Sequence, residues 1–166
     1  MSAPHSEPAD PPEGPTALSS RDRKLLGEAV AARRNAHAPY SGFPVGAALR
    51  GRSGRVHRGC NVENASYPAG ICAEGAAVVS AVAAGETDFV ELAVVTGASE
   101  VAAPCGICRQ TLAEFAADLR IVLASVRDAD RADTGAAAAE PTVVDVVFTS
   151  LDELLPRRFG AAQLRA

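Results

Sequence analysis

Leu25, Leu26, Ala29 and Val30 recur at helical spacing, and Ser19 or Ser20 stands ahead of them as a possible cap. The pattern predicts a helix running to about Asn35. The next stretch, His37-Ala38-Pro39-Tyr40-Ser41-Gly42-Phe43-Pro44, breaks every period and reads as a loop. Val45 to Leu49 and Val56 to Val62 read as strands, and Gly51-Arg52-Ser53-Gly54 between them makes a hairpin turn. Cys72 opens a second helix that reaches about Ala84 and stops at Gly85. From Gly75 to Ala84 that helix carries no charge on any face, which predicts burial all round. Phe89 to Thr96 is a strand and Gly97 to Ala103 a loop. Cys105 opens a helix to about Ala117, followed by strands at Ile121 to Val126 and Val143 to Thr149. Asp152 to Leu155 makes a short last helix. The order of helix, hairpin, helix, strand, helix, strand, strand implies an α/β fold, a three-layer α/β/α sandwich around a five-stranded mixed sheet.

Two stretches fall outside this pattern. Residues 1–17 are rich in Pro, Ala, Ser and acid, and are expected to be a disordered tail. Residues 128–141 have little apolar variety and are expected to be a mobile insertion. The rest, 18–166, is the length of one domain with a real core. The chain of 166 residues has a formal charge of −4, which points to no polyanionic partner. No segment is long and apolar enough to cross a membrane. Met1 to Pro15 has no apolar stretch of the secretory kind, so the expectation is a cytoplasmic protein.

The four cysteines change the picture. Cys60, Cys72, Cys105 and Cys108, with no secretory signal, favour metal or redox chemistry over disulfides. Alone, Cys105 and Cys108 are compatible with a redox dithiol or half of a structural zinc site. No thioredoxin-like neighbourhood accompanies them, and a structural site wants a fourth ligand. Cys60 is the spare thiol, but it sits inside an apparent strand and reads as a buried small residue. None of His5, His37 and His57 lies near a motif. Cys72, Cys105 and Cys108 can instead share one Zn²⁺ per chain and leave its fourth tetrahedral position to water. Glu74, two residues after the first thiol, is placed to move protons there. Both ligand groups start helices, whose N-termini stabilise thiolates.

Ligand, one residue, Glu, then Pro-Cys-x-x-Cys is the signature of the zinc nucleobase deaminases, here with a thiol in the first ligand position. From about Ala36 to Phe159 the chain resembles the short cytidine deaminases that act on free nucleosides. Pro39-Tyr40-Ser41-Gly42-Phe43-Pro44-Val45-Gly46-Ala47-Ala48-Leu49 looks like the family's first motif. Asn61-Val62-Glu63-Asn64-Ala65-Ser66-Tyr67 looks like its ribose-binding motif, and Leu154-Leu155-Pro156 with Phe159 like its C-terminal one. The resemblance implies zinc on Cys72, Cys105 and Cys108, with Glu74 as the catalytic proton carrier. It implies that Asn61 and Glu63 hold the ribose, with Ala65 and Tyr67 near the sugar and the Ala73 backbone facing the base. Phe43 and Phe159 would wall the pyrimidine, Phe159 donated by a neighbouring subunit of a homotetramer. The implied reaction converts cytidine and deoxycytidine to uridine and deoxyuridine and releases ammonia.

Three features depart from the family pattern. Gly75 stands where arginine commonly follows the glutamate, Pro68-Ala69-Gly70 intervenes after Tyr67, and the 128–141 link is long. They leave room for a rival substrate, a modified cytosine nucleoside resembling blasticidin S. With Gly75 unable to offset the negative centre, Arg109 is expected to share that compensation with the helix dipoles. A polynucleotide substrate would have to use Arg50, Arg52, Arg55, His57 and Arg58 on the hairpin. That group reads as a solvated turn with no aromatic stripe, which argues against nucleic acid. A noncatalytic zinc-binding interaction module is the rival from another class, and Glu74 argues against it.

Overall fold

The structure, a computed structural model, describes residues 18–127 and 141–164. The tail expected over 1–17 and, except for Pro141, the insertion expected over 128–141 lie outside the described residues. The first helix, α1, spans Ser20–Arg33. Its cap is reciprocal: the Ser19 side chain accepts from the Asp22 backbone, and the Asp22 side chain accepts from that of Ser19. Its apolar stripe, Leu25, Leu26, Ala29 and Val30, is buried as the spacing predicts.

Five strands follow: β1 (Val45–Gly51), β2 (Val56–Cys60), β3 (Phe89–Thr96), β4 (Arg120–Arg127) and β5 (Thr142–Ser150). They form one mixed sheet in the order β2-β1-β3-β4-β5, parallel only between β3 and β4. Helices α2 (Ala73–Ala83) and α3 (Gly106–Ala113) precede β3 and β4. Two short helices, α4 (Leu151–Leu154) and α5 (Ala161–Leu164), end the described chain, and a single 3₁₀ turn spans Tyr67–Ala69. Alternation along the strands divides the core in two. Ala47, Leu49, Leu92, Val94, Ile121 and Leu123 pack with α2 and α3. Ala48, Ala93, Val95, Val122 and Ala124 pack under α1. That is the expected α/β/α layering.

Register brings the separated motifs to one end of the sheet. Val45, the first residue of β1, pairs with Thr96, the last of β3, while Gly46 pairs with Cys60 at the end of β2. The 37–44 loop, the 61–63 segment and the loop before α3 therefore emerge side by side.

Several expected boundaries shift for identifiable reasons. β2 stops at Cys60, short of Val62. The Asn61 side chain takes the Val45 N–H, while the Asn61 carbonyl turns to the His37 N–H. Val62 then forms isolated bridges to His37 and Ile71. α3 ends at Ala113, short of Ala117. There the chain tightens into a turn, the Phe115 carbonyl accepts from the Phe89 N–H, and the two rings pack 5.2 Å apart. Cys72 and Cys105 cap their helices from one residue outside them. Cys60 is half-exposed, not buried, and its thiol lies 3.5 Å from the Asn35 carbonyl. α2 is not buried all round within one chain. Ala73, Ala77, Val78 and Ala81 face the sheet, while Val79 is 65% and Val82 41% exposed.

Candidate metal and nucleoside site

The Sγ atoms of Cys72, Cys105 and Cys108 lie within 4.8 Å of one another, and Cys72 and Cys105 are 3.9 Å apart. A tetrahedral zinc with Zn–S bonds of about 2.3 Å puts its sulfurs about 3.8 Å apart, so the donor set fits that ion. Among the described residues Cys60 stands outside the cluster, as expected.

Local sequence explains the convergence. Cys72 and Cys105 occupy N-cap positions and make no side-chain cap of their own. Cys108, one turn into α3, is buried. Gly59 on β2 lets α2 sit directly on the sheet: a Cβ there would lie 2.2 Å from the Ala73 carbonyl oxygen and 2.3 Å from the Ala77 nitrogen.

Crowding of acidic groups governs the electrostatics. Burial pushes the Cys72 thiol up, with Cys105 and Glu74 adding to it. Burial, then the Glu74 and Cys72 charges, drive Cys108 far up. Burial also works on Cys105, but hydrogen bonds from Cys108 and the Ile107 N–H outweigh it and hold that thiol low. Glu74 is only 5% exposed, and burial raises its carboxyl despite support from its own N–H and the adjacent Cys108 thiol. A divalent cation inverts this logic by favouring the deprotonated forms.

A cavity of about 440 Å³ opens over the cluster, walled by Cys72, Ala73, Glu74, Phe43, Asn61 and Glu63. A second, of about 460 Å³, continues past Asn61 and Glu63 to Tyr40 and Tyr67, whose rings meet edge to face. Both volumes lie in the range of small-molecule sites. The structure thus gathers the three cysteines, Glu74, Ala73, Phe43, Asn61, Glu63 and Tyr67 from the sequence-predicted set. It does not bring Ala65 or Phe159 into the lining of either cavity. Phe159 is 57% exposed and is tethered by its carbonyl to Gln110 Nε2 at 2.9 Å.

Several side chains have partners that the sequence does not announce. Arg109 fastens loops: Nε donates to the Pro104 carbonyl at 2.7 Å and Nη1 to the Leu154 carbonyl at 2.8 Å. Arg50, Arg52, Arg55 and Arg58 pair with Glu91, Asp88, Glu86 and Glu28 respectively, and His57 is buried. The hairpin is therefore no free basic patch. Ser41 is not among the expected site residues, yet it lines both cavities and hydrogen-bonds Glu63. A turn signal is legible in it, since its hydroxyl accepts the N–H of Phe43 two residues on.

Residues 19–125 match the family described as the cytidine and deoxycytidylate deaminase zinc-binding region. The chain belongs to this family. The family's zinc-binding region and the three-thiol cluster together provide for one zinc per chain. A cytidine deaminase of Halalkalibacterium halodurans is 39% identical over 145 residues, 86% of this chain and 98% of that protein. One from Sporosarcina psychrophila is 48% identical over 92 residues, 55% of this chain and 68% of that one. The crystal structure of cytidine deaminase from Burkholderia pseudomallei superposes with a TM-score of 0.69 at 43% identity, covering 82% of this chain and 98% of that one. The deaminase fold thus accounts for the mixed sheet and the position of the thiols at its end.

Proposed function

We propose that this chain is a zinc-dependent hydrolase that converts cytidine and deoxycytidine, with water, to uridine and deoxyuridine plus ammonia. The observation that carries the reading is the buried Glu74 beside three convergent thiols, in a cavity that Glu63 and Asn61 also line. When bound, zinc supplies the Lewis acidity that makes a water nucleophilic near neutral pH. Glu74, buried beside the thiols, takes a proton from the attacking water and delivers it to N3 of the ring, then takes a second from the new C4 hydroxyl and delivers it to the departing amine, which leaves as ammonia. Ala73 offers its backbone to the base, and Phe43 packs against the ring. Glu63 and Asn61 face the ribose, with Tyr67 toward its outer side. A site built to accept hydroxyl protons disfavours analogues lacking them, because its polar groups are left unpaired.

The same reading extends to assembly. Ile107, 81% exposed, Val79 and Val82 are apolar side chains left uncovered on a single chain. We propose that a homotetramer covers them and that Phe159 completes a neighbour's pocket. One domain over 18–166 and a cytoplasmic location accompany this proposal; no described helix is long and apolar enough to cross a membrane. The test is ammonia release from cytidine, deoxycytidine, cytosine and a short oligonucleotide. Turnover of both nucleosides alone is the expected result. Turnover of the oligonucleotide, or of no substrate by a zinc-loaded protein, would refute it.

A further inference from the structure

Residues 40–45 belong to no regular element until Val45, yet their backbone groups are met by side chains. Tyr40 N–H donates to Glu63 Oε2 at 2.8 Å and Ser41 N–H donates to the same oxygen at 3.2 Å. The Ser41 hydroxyl donates to the other carboxylate oxygen, Oε1. It also accepts the Phe43 N–H at 3.0 Å. Asn61 spans Pro44: its Oδ1 accepts from Val45 N–H at 2.8 Å and its Nδ2 donates to the Phe43 carbonyl at 2.9 Å.

The direction of this chain of bonds is forced. A backbone N–H can only donate, so the Ser41 oxygen must accept from Phe43. Its one proton is then left for Glu63, which as a carboxylate can only accept. A carboxylate has about four acceptor sites, and Tyr40 and Ser41 occupy three. What remains open suits a hydroxyl donor. One hydroxyl therefore sits between the carboxylate and the backbone of the aromatic residue in the adjoining cavity wall.

We propose that Ser41 is a positioning residue for sugar recognition: its hydroxyl aims the Glu63 carboxylate at the hydroxyls of a nucleoside sugar and ties that aim to the placement of Phe43. The proposal rests on the deaminase reading. The competing account is a serine turn that merely closes a loop. A loop closure would affect all substrates alike, whereas an aimed carboxylate matters only when the substrate has a sugar hydroxyl to offer.

The experiment measures kcat and KM of the full-length zinc-loaded protein and its Ser41→Ala, Ser41→Cys and Ser41→Thr variants. The substrates are cytidine and 2′,3′-dideoxycytidine. Losing a hydrogen bond to a charged group corresponds to about a tenfold or greater effect. Ser41→Ala should raise KM for cytidine about tenfold with kcat nearly unchanged, a loss of binding and not of chemistry. Its kcat/KM on the dideoxy substrate should fall by at least about fivefold less than on cytidine, the remaining loss coming from the Phe43 N–H that Ser41 also holds. Ser41→Thr, which keeps the hydroxyl, should restore cytidine use. Ser41→Cys keeps the size with a weak donor and should behave like the alanine variant, which covers the case of alanine failing to fold. Equal losses on the two substrates, or a loss confined to kcat, would overturn the role of Ser41 while leaving the deaminase reading intact. Absence of turnover in the zinc-loaded wild type would overturn both.

Discussion

Cys60 and Cys108 differ only in where the fold places their sulfur. Cys108 is buried in the three-thiol cluster, and Cys60 lies outside it against the Asn35 carbonyl. Cys108→Ser should therefore abolish stoichiometric zinc and Cys60→Ser should leave it unchanged; metal analysis of the purified variants decides this. Zinc loss from Cys60→Ser would indicate a four-cysteine structural site. Glu74→Gln keeps the size of the side chain and removes the proposed proton carrier. General acid–base work is worth roughly 10²–10⁴-fold, so turnover should fall at least that far while zinc stays bound. Near-normal turnover would remove Glu74 from the mechanism. Glu63 has the opposite electrostatic setting. The Ser41 hydroxyl, then the Tyr40 N–H, favour its charged form and hold its carboxyl below the ordinary glutamate range. Because the folded-state value is lowered, the ionised form persists as pH falls through that range and is lost only below it. Carboxyl carbon shifts followed by NMR titration should show that low midpoint for Glu63. A midpoint at or above that of an unstructured glutamate would mean that the Tyr40 and Ser41 donors are not in place.

At the scale of elements, the site depends on how closely α2 lies on β2. Gly59 removes the Cβ that would collide with the first turn of α2, between the ligand Cys72 and the buried Ala77. Gly59→Ala should push that turn off the sheet and cost about 3 kcal/mol, the upper range for overpacking. Zinc affinity should fall with it, because Cys72 moves with the helix. Chemical denaturation and metal titration check both expectations; unchanged stability would mean that α2 is not seated as described. Gly75 is different: a Cβ there would meet only the Ile71 Cγ2, at 3.6 Å, an ordinary contact distance. Packing within the chain does not require glycine at that position. Arg109 and Gln110 follow the last ligand and anchor the C-terminal segment through the carbonyls of Leu154 and Phe159. The ligand-bearing helix and the exposed aromatic ring are thereby joined in one mechanical unit.

For the whole molecule, the uncovered face of α2 makes a prediction about mass. An aspartate at an exposed helical position ordinarily changes stability by less than about 0.5 kcal/mol. In an assembly that covers Val79, the same charge would be buried without a partner. Val79→Asp should therefore lower the mass in solution to that of one 17.0 kDa chain and reduce activity, with little change in the fold. Light scattering with circular dichroism tests this. A wild-type protein that is monomeric and fully active would refute both the tetramer and the shared pocket.

Periodicity and turn residues alone locate α1, all five strands and the two ligand-bearing helices, because each is dictated by local spacing of apolar side chains. The three thiols that can hold a zinc ion and Glu74 are legible for a related reason: their chemistry is carried by side-chain type at short fixed intervals. Other features depend on partners far apart in the chain. The end of β2 is set by Asn61 reaching the Val45 N–H, and the end of α3 by the contact of Phe115 with Phe89. The hairpin cations read as a solvated cluster in the sequence, because the acids that pair with them come from α1 and from the turn and strand after α2. Gly46 and Gly59 carry no local signal of their roles, since close approach to α1 and α2 is a property of the packed layers. Ser41 belongs with them. Its turn is local, but its hold on Glu63 exists only because the β1–β3 and β1–β2 registers bring the two segments to the same end of the sheet. Sequence determined which elements and which chemical groups this protein has; tertiary structure decided their mutual distances, because hydrogen bonding, burial and steric contact act across space and not along the chain.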